Sequence, residues 1–120
     1  DKILLDVPCS GTGVMAKRAD IRWRRTSEEI KEFSKLQIRL LNNCSKQLPS
    51  GGILVYSTCS IEEEENQEVI DFFLNENPEF HIQSASEYIP NEFVNKQGAV
   101  CILPPTHNID GGYAVRLVKK

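Results

Sequence analysis

Two short apolar runs, Ile3-Leu4-Leu5 and Ile53-Leu54-Val55-Tyr56, set the frame for this chain. Neither alternates with polar residues. Continuous runs of this length suit strands buried on both faces, as in a parallel sheet. Parallel neighbours need a long crossover, usually a helix. The intervening sequence supplies one. Thr26 with Glu29 reads as a capping box, so a helix is expected to begin near Thr26 or Ser27. Ile30, Phe33, Leu40, Leu41, Cys44 and Leu48 then follow at spacings of mostly three, four and seven, the stripe of an amphipathic helix. Pro49-Ser50-Gly51-Gly52 ends it.

After the second run, Ser60 with Glu63 gives another capping box and predicts a helix starting just past Cys59. Val69, Ile70, Phe73 and Leu74 form its apolar face, and Pro78 marks its end. Phe80 and Ile82 suit a short strand, whereas residues 84–98 are polar and irregular and carry no expectation. Val100–Leu103 and Tyr113–Val118 are the last two strands, with an antiparallel pairing between them. The order strand, helix, strand, helix, late strands is an α/β pattern with a mixed sheet.

No apolar run approaches the roughly 20 residues that cross a bilayer. The first residues have no signal-peptide layout and no initiator Met, and they enter a strand at once. The chain therefore reads as a piece of a longer protein. With 14 basic and 17 acidic residues, its formal charge is -3. An unaided nucleic-acid binder is usually basic. Even so, Lys17, Arg18, Arg22, Arg24 and Arg25 cluster around Trp23, which fits either RNA contact or a solvated face. The run Glu62 to Glu65 reads as a solvated face.

None of the four cysteines has C-x-x-C spacing, and two histidines do not readily complete a zinc site, so no metal is expected. Nothing points to secretion. The thiols are read as reduced and the compartment as cytoplasmic.

In open α/β sheets, ligands bind beyond the carboxyl ends of the parallel strands. The two segments leaving those ends are Asp6 to Thr12 and Ser57 to Ser60, and each contains one cysteine. Cys59 would sit at a helix N-terminus, where the dipole and free N–H groups favour a thiolate. Its plain alternative is a small packed thiol. Cys9 has the same alternative. Asp6 ends an apolar strand, where a carboxylate needs a partner or a ligand, and its plain alternative is a loop cap. Two thiols and an acid at adjacent strand ends suit one reaction in particular. A thiolate added to C6 of cytosine turns C5 into a nucleophile, an acid near the ring nitrogen steadies the charge, and a base removes the C5 proton before the thiol leaves.

The motifs themselves are specific. Asp6-Val7-Pro8-Cys9-Ser10-Gly11-Thr12-Gly13 resembles motif IV of the RsmB/Sun family of SAM-dependent RNA cytosine-C5 methyltransferases. Tyr56-Ser57-Thr58-Cys59-Ser60, with Glu64-Glu65-Asn66, resembles motif VI. Ile21-Arg22-Trp23, Leu36-Gln37, Pro104-Pro105 and Asp110-Gly111 extend the resemblance along nearly the whole chain. It implies a Rossmann-like fold of which residues 1–120 are the C-terminal portion. It also implies SAM as cofactor and RNA, most often ribosomal RNA, as substrate. Cys59 would attack C6, Cys9 would assist release of the adduct, and Asp6 would lie between cytosine and methyl donor. Arg18, Arg22, Arg24 and Arg25 are the RNA-contact candidates. The family usually has Ala where Val7 stands, and often two Phe where Gly112 and Tyr113 follow Asp110-Gly111.

Because the family's glycine-rich SAM loop lies upstream of motif IV, the isolated chain is expected neither to bind SAM tightly nor to turn over RNA. The resemblance leaves the RNA, the nucleotide and the oligomeric state undefined. Two rivals differ in chemistry. In one, Cys9 attacks, as in DNA cytosine-C5 methyltransferases, and Cys59 is structural. In the other, the chain is a non-catalytic RNA-binding module derived from a methyltransferase. An unrelated α/β fragment with packed cysteines is a further alternative.

Overall fold

The computed structural model describes residues 1–11, 27–103 and 110–120. Within them lie strand β1 (Lys2–Asp6), helix α1 (Ser27–Ser45), strand β2 (Ile53–Thr58), helix α2 (Gln67–Glu76) and strands β3 (Phe80–Gln83), β4 (Val100–Ile102) and β5 (Gly112–Lys119). The sheet order is β1-β2-β5-β3, and β4 pairs with β5 as well. β1 and β2 are parallel, with Leu4 opposite Val55 and Asp6 opposite Ser57. β5 is antiparallel to β2, β3 and β4, which makes the sheet mixed as the sequence predicts. β3 pairs with Arg116–Lys119 and β4 with Gly112–Ala114, so the two short strands share one edge of β5.

The alternation of burial along β2 and β5 shows where the core lies. Leu54, Tyr56, Val115 and Leu117 point to one face and are buried, together with Leu41 and Leu48 from the α1 segment and Val69, Ile70 and Phe73 of α2. Ile3 and Leu5 of β1 pack against the same cluster. The other face differs from the expectation of strands buried on both sides. Leu4, beside Val55, is 73% exposed. Both helices bury their apolar stripes on the opposite face, so nothing among the described residues covers Leu4.

α1 departs from its expected stripe in an informative way. Its fully or nearly buried residues are Gln37, Leu41 and Ser45. The helix stops at Ser45, and Leu48 is buried from the turn beyond it. Gly51, at φ 85°, takes the left-handed conformation that the turn into β2 requires. Thr26, half of the expected capping box, lies outside the described residues.

The second helix also starts later than expected. A single 3₁₀ turn at Glu63–Glu65 follows Cys59, and α2 begins at Gln67. Asn66, with φ -115° and ψ -98°, breaks the two apart. Its side chain is held on both sides, accepting from Thr58 Oγ1 at 2.7 Å and donating to Ser60 O at 2.9 Å. These bonds fix the chain where a continuous helix would otherwise begin.

Candidate active site

The site is built at the carboxyl ends of β1 and β2. Val7 N donates to Ser57 O at 3.0 Å, extending the parallel ladder one step past β1. The chain then turns through Pro8 and Cys9 to Gly11, whose φ of 76° suits glycine. On the neighbouring strand, Thr58 leads directly into Cys59. The registered strands deliver both cysteines to one place, where Cys9 Sγ and Cys59 Sγ lie 3.1 Å apart. That separation is far beyond the roughly 2.05 Å of a disulfide, so it is a thiol–thiol contact.

The two sulfurs differ in setting. Cys59 is exposed, whereas Cys9 is half-buried. Burial, followed by the hydrogen bond with Cys59, pushes the Cys9 thiol up to about 12. Cys9 therefore keeps its proton at neutral pH and has a hydrogen to offer in the contact, in which either sulfur can donate. Beside the pair, Asp6 is exposed and accepts from Ser57 Oγ at 2.9 Å.

Beneath the sulfurs lies a buried polar cluster that the sequence reading missed. Glu65 is fully buried. One of its carboxylate oxygens accepts from Ser10 N at 2.8 Å and Gln37 Nε2 at 3.2 Å. The other accepts from Ser10 Oγ at 2.6 Å and from Ser60 Oγ. Its backbone carbonyl accepts from the Tyr56 hydroxyl at 2.6 Å. Gln37 also donates to Pro8 O at 2.9 Å. The solvated-face reading of Glu62 to Glu65 thus holds for Glu63 and Glu64 and fails for Glu65. A signal was available. Glu65 and Asn66 precede Val69, Ile70 and Phe73 at helical spacing, which places them on the buried side.

The helix-dipole argument for Cys59 also needs correction. α2 begins eight residues further on, and Ser60 Oγ, accepting from Glu62 N at 3.0 Å, satisfies the nearest free amide. The sulfur of Cys9 is what stands beside Cys59. Lys17, Arg18, Arg22, Arg24 and Arg25 lie outside the described residues, as do Thr12, Gly13, Pro104 and Pro105. Among the described residues no cluster of His, Cys, Asp and Glu could hold a metal, and no helix is long and apolar enough to cross a membrane.

A mixed sheet whose parallel strands end at two thiols and a carboxylate, with its helices packed on the sheet, is the Rossmann-like architecture of a methyltransferase. The structure resembles the crystal structure of PH0851 with a TM-score of 0.89 and 36% identity, over 99% of this chain and 26% of that one. It resembles NSun6 from Pyrococcus horikoshii, solved with SFG, with a TM-score of 0.81 and 28% identity, over 97% of this chain and 29% of that one. The model of the 16S rRNA methyltransferase RsmB/F family matches residues 1–118, and the chain belongs to that family. It is 40% identical over 119 residues to the ribosomal RNA small subunit methyltransferase B of Shewanella oneidensis, covering 99% of this chain and 27% of that protein. Its identity to the same-named protein of Yersinia pseudotuberculosis is 39%, over 26% of that protein's length. The chain thus spans only about a quarter of these curated relatives.

Proposed function

We propose that this chain is the C-terminal portion of the catalytic domain of an enzyme that methylates C5 of a cytosine in RNA, with ribosomal RNA as the substrate class. The observation that carries the reading is the 3.1 Å contact between Cys9 and Cys59 at the ends of adjacent parallel strands. Cys59, the exposed sulfur, is the nucleophile. Its thiolate forms the S–C6 bond, and the electron pair of the C5–C6 double bond moves to C5 and, through C4, onto the ring nitrogen N3. Cys9, still protonated, donates to the Cys59 sulfur and supports negative charge there when the S–C6 bond forms and when it breaks. After C5 has used its electron pair to bond the methyl group, a base removes the C5 proton, that C–H bonding pair restores the double bond and Cys59 departs as a thiolate.

Asp6 fits a role toward both cytosine and cofactor. Its carboxylate is exposed at a strand end, with one oxygen bonded by Ser57 and the group open to a ligand. SAM, when bound, supplies the electrophilic methyl group, and Asp6 is the residue of this chain that would face it. The SFG seen with NSun6 from Pyrococcus horikoshii, a SAM analogue, supports this cofactor. Arg18, Arg22, Arg24 and Arg25 are proposed to contact RNA phosphates. Reduced thiols and a ribosomal substrate fit a cytoplasmic enzyme.

The test is to trap the full-length protein on RNA containing 5-fluorocytosine, whose C5 fluorine blocks the final elimination. A stable adduct that survives in Cys9→Ala and disappears in Cys59→Ala is the expected result. Loss of the adduct in Cys9→Ala alone would make Cys9 the nucleophile. Salt-dependent RNA binding with no adduct at all would reduce the chain to a binding module.

A further inference from the structure

We infer that Glu65 is the positioning residue that sets the distance between the two sulfurs, by clamping both cysteine loops onto one buried carboxylate. The role rests on the proposed reading of Cys59 and Cys9, although the clamp itself is a matter of geometry. A carboxylate in a dry interior is costly unless donors surround it. Glu65 has four, and their origins are what matter. Ser10 N and Ser10 Oγ belong to the loop that carries Cys9. Ser60 Oγ belongs to the residue after Cys59. Gln37 Nε2 comes from α1 and also holds Pro8 O, on the other side of Cys9.

Each cysteine is thus one residue from a direct bond to the same side chain. Ser10 Oγ and Ser60 Oγ also lie 3.4 Å apart, so the two hydroxyls that reach the carboxylate meet each other as well. Ser10, Gln37, Ser60 and Glu65 are all buried, so water does not compete for these bonds. The Tyr56 hydroxyl fixes the backbone of Glu65 from below, which ties the clamp to the rigid centre of the sheet.

A glutamine at this position has nearly the same shape and offers one acceptor oxygen where the carboxylate offers two. Its amide nitrogen would stand where the second oxygen accepts from both serines, so each hydroxyl would have to turn from donor to acceptor and the charge-assisted bonds that hold the two loops would be weakened. Displacing reacting groups by about 1 Å costs on the order of 100-fold in rate. Ser10→Ala removes one donor and leaves the backbone bond, so its effect should be smaller.

Two readouts on the full-length protein separate this inference from the methyl-transfer reading. In the first, diamide takes one hydrogen from each thiol. Its azo bond is reduced to the hydrazine, and a Cys9–Cys59 disulfide forms and is mapped by peptide mass spectrometry. Its rate reports how close the sulfurs stand, whatever reaction they serve. In the second, kcat and KM for RNA are measured at a temperature where each variant is folded. Glu65→Gln is expected to slow cross-linking and lower kcat by about tenfold or more, with KM within about twofold. Ser10→Ala should do so by a smaller factor, and adding it to Glu65→Gln should have little further effect, because both act through one contact.

Folded Glu65→Gln protein that cross-links and turns over at the wild-type rate would overturn the inference. If Glu65→Gln does not fold, unchanged cross-linking in both Ser10→Ala and Ser60→Ala would overturn it equally. Slowed cross-linking in a protein whose methylation survives Cys59→Ala would uphold the clamp and remove the proposed nucleophile.

Discussion

At the residue scale, the two cysteines share a contact and differ in what burial does to them. Cys9 is half-buried, and its proton is held until high pH. Because its folded pKa lies above the ordinary value of 9.0, the folded state binds more protons than the unfolded state between pH 9.0 and about 12. The stability tied to this thiol is therefore complete below pH 9 and is lost as pH rises through that window. Tyr56 and Tyr113, held above the phenol range chiefly by burial, act in the same direction from pH 10 upward. Thermal melts of wild type and Cys9→Ala between pH 8 and 11 should show a steeper fall for wild type; parallel curves would contradict the assignment. Asp6→Asn keeps the Ser57 contact possible and removes the charge, so methyl transfer should drop by about tenfold or more with the protein's melting temperature nearly unchanged. A fully active Asp6→Asn enzyme would assign Asp6 to loop capping.

The meeting of Cys9 and Cys59 was legible in sequence because each follows an apolar strand run, and the ends of neighbouring parallel strands lie side by side. Glu65 was legible only through its spacing to Val69, and its partners were not legible at all. A run of four glutamates looks solvated, and which of them turns inward depends on donors fifty-five residues away at Ser10 and twenty-eight away at Gln37.

At the scale of elements, β1, β2, β5 and the crossover helix follow from apolar runs and their spacing. The beginning of α2 does not, because capping propensity at Ser60 is overridden by side-chain bonds. Ser60 is drawn to Glu65, and Asn66 bridges Thr58 and Ser60 O. Tertiary bonds of this kind beat a local capping preference worth about 1 kcal/mol. Tyr56 shows the coupling of β2 to that turn. Its ring packs edge-on against Tyr113 with centroids 6.5 Å apart, and its hydroxyl reaches Glu65 O. Tyr56→Phe leaves that buried carbonyl short of a donor and should cost about 1–3 kcal/mol in denaturant unfolding. A change within experimental error would mean that the turn is held without the hydroxyl.

At the scale of the whole molecule, the sheet has one covered face and one on which Leu4 stands open. The apolar run of β1 led to the expectation of burial on both sides, which the described residues alone do not provide. β1 pairs only with β2 among them, leaving a strand edge that other chains could extend. The chain covers about a quarter of its curated relatives. Residues 1–120 alone are expected to show no methyl transfer to RNA. Turnover by this segment in a tritium-transfer assay would contradict that. In the full-length protein, Ala at Arg22, Arg24 and Arg25 should weaken RNA binding and flatten its salt dependence by about one unit of slope per lost phosphate contact. An unchanged slope would place those arginines on a solvated face.

The most direct measurement is the intact mass of Cys9→Ala full-length protein after incubation with unmodified substrate RNA and SAM. With Cys9 proposed to assist release, its removal is predicted to leave an accumulating protein–RNA adduct whose peptide map places the nucleotide on Cys59. Normal turnover without an adduct, or a nucleotide attached at another residue, would contradict the division of labour between the two thiols.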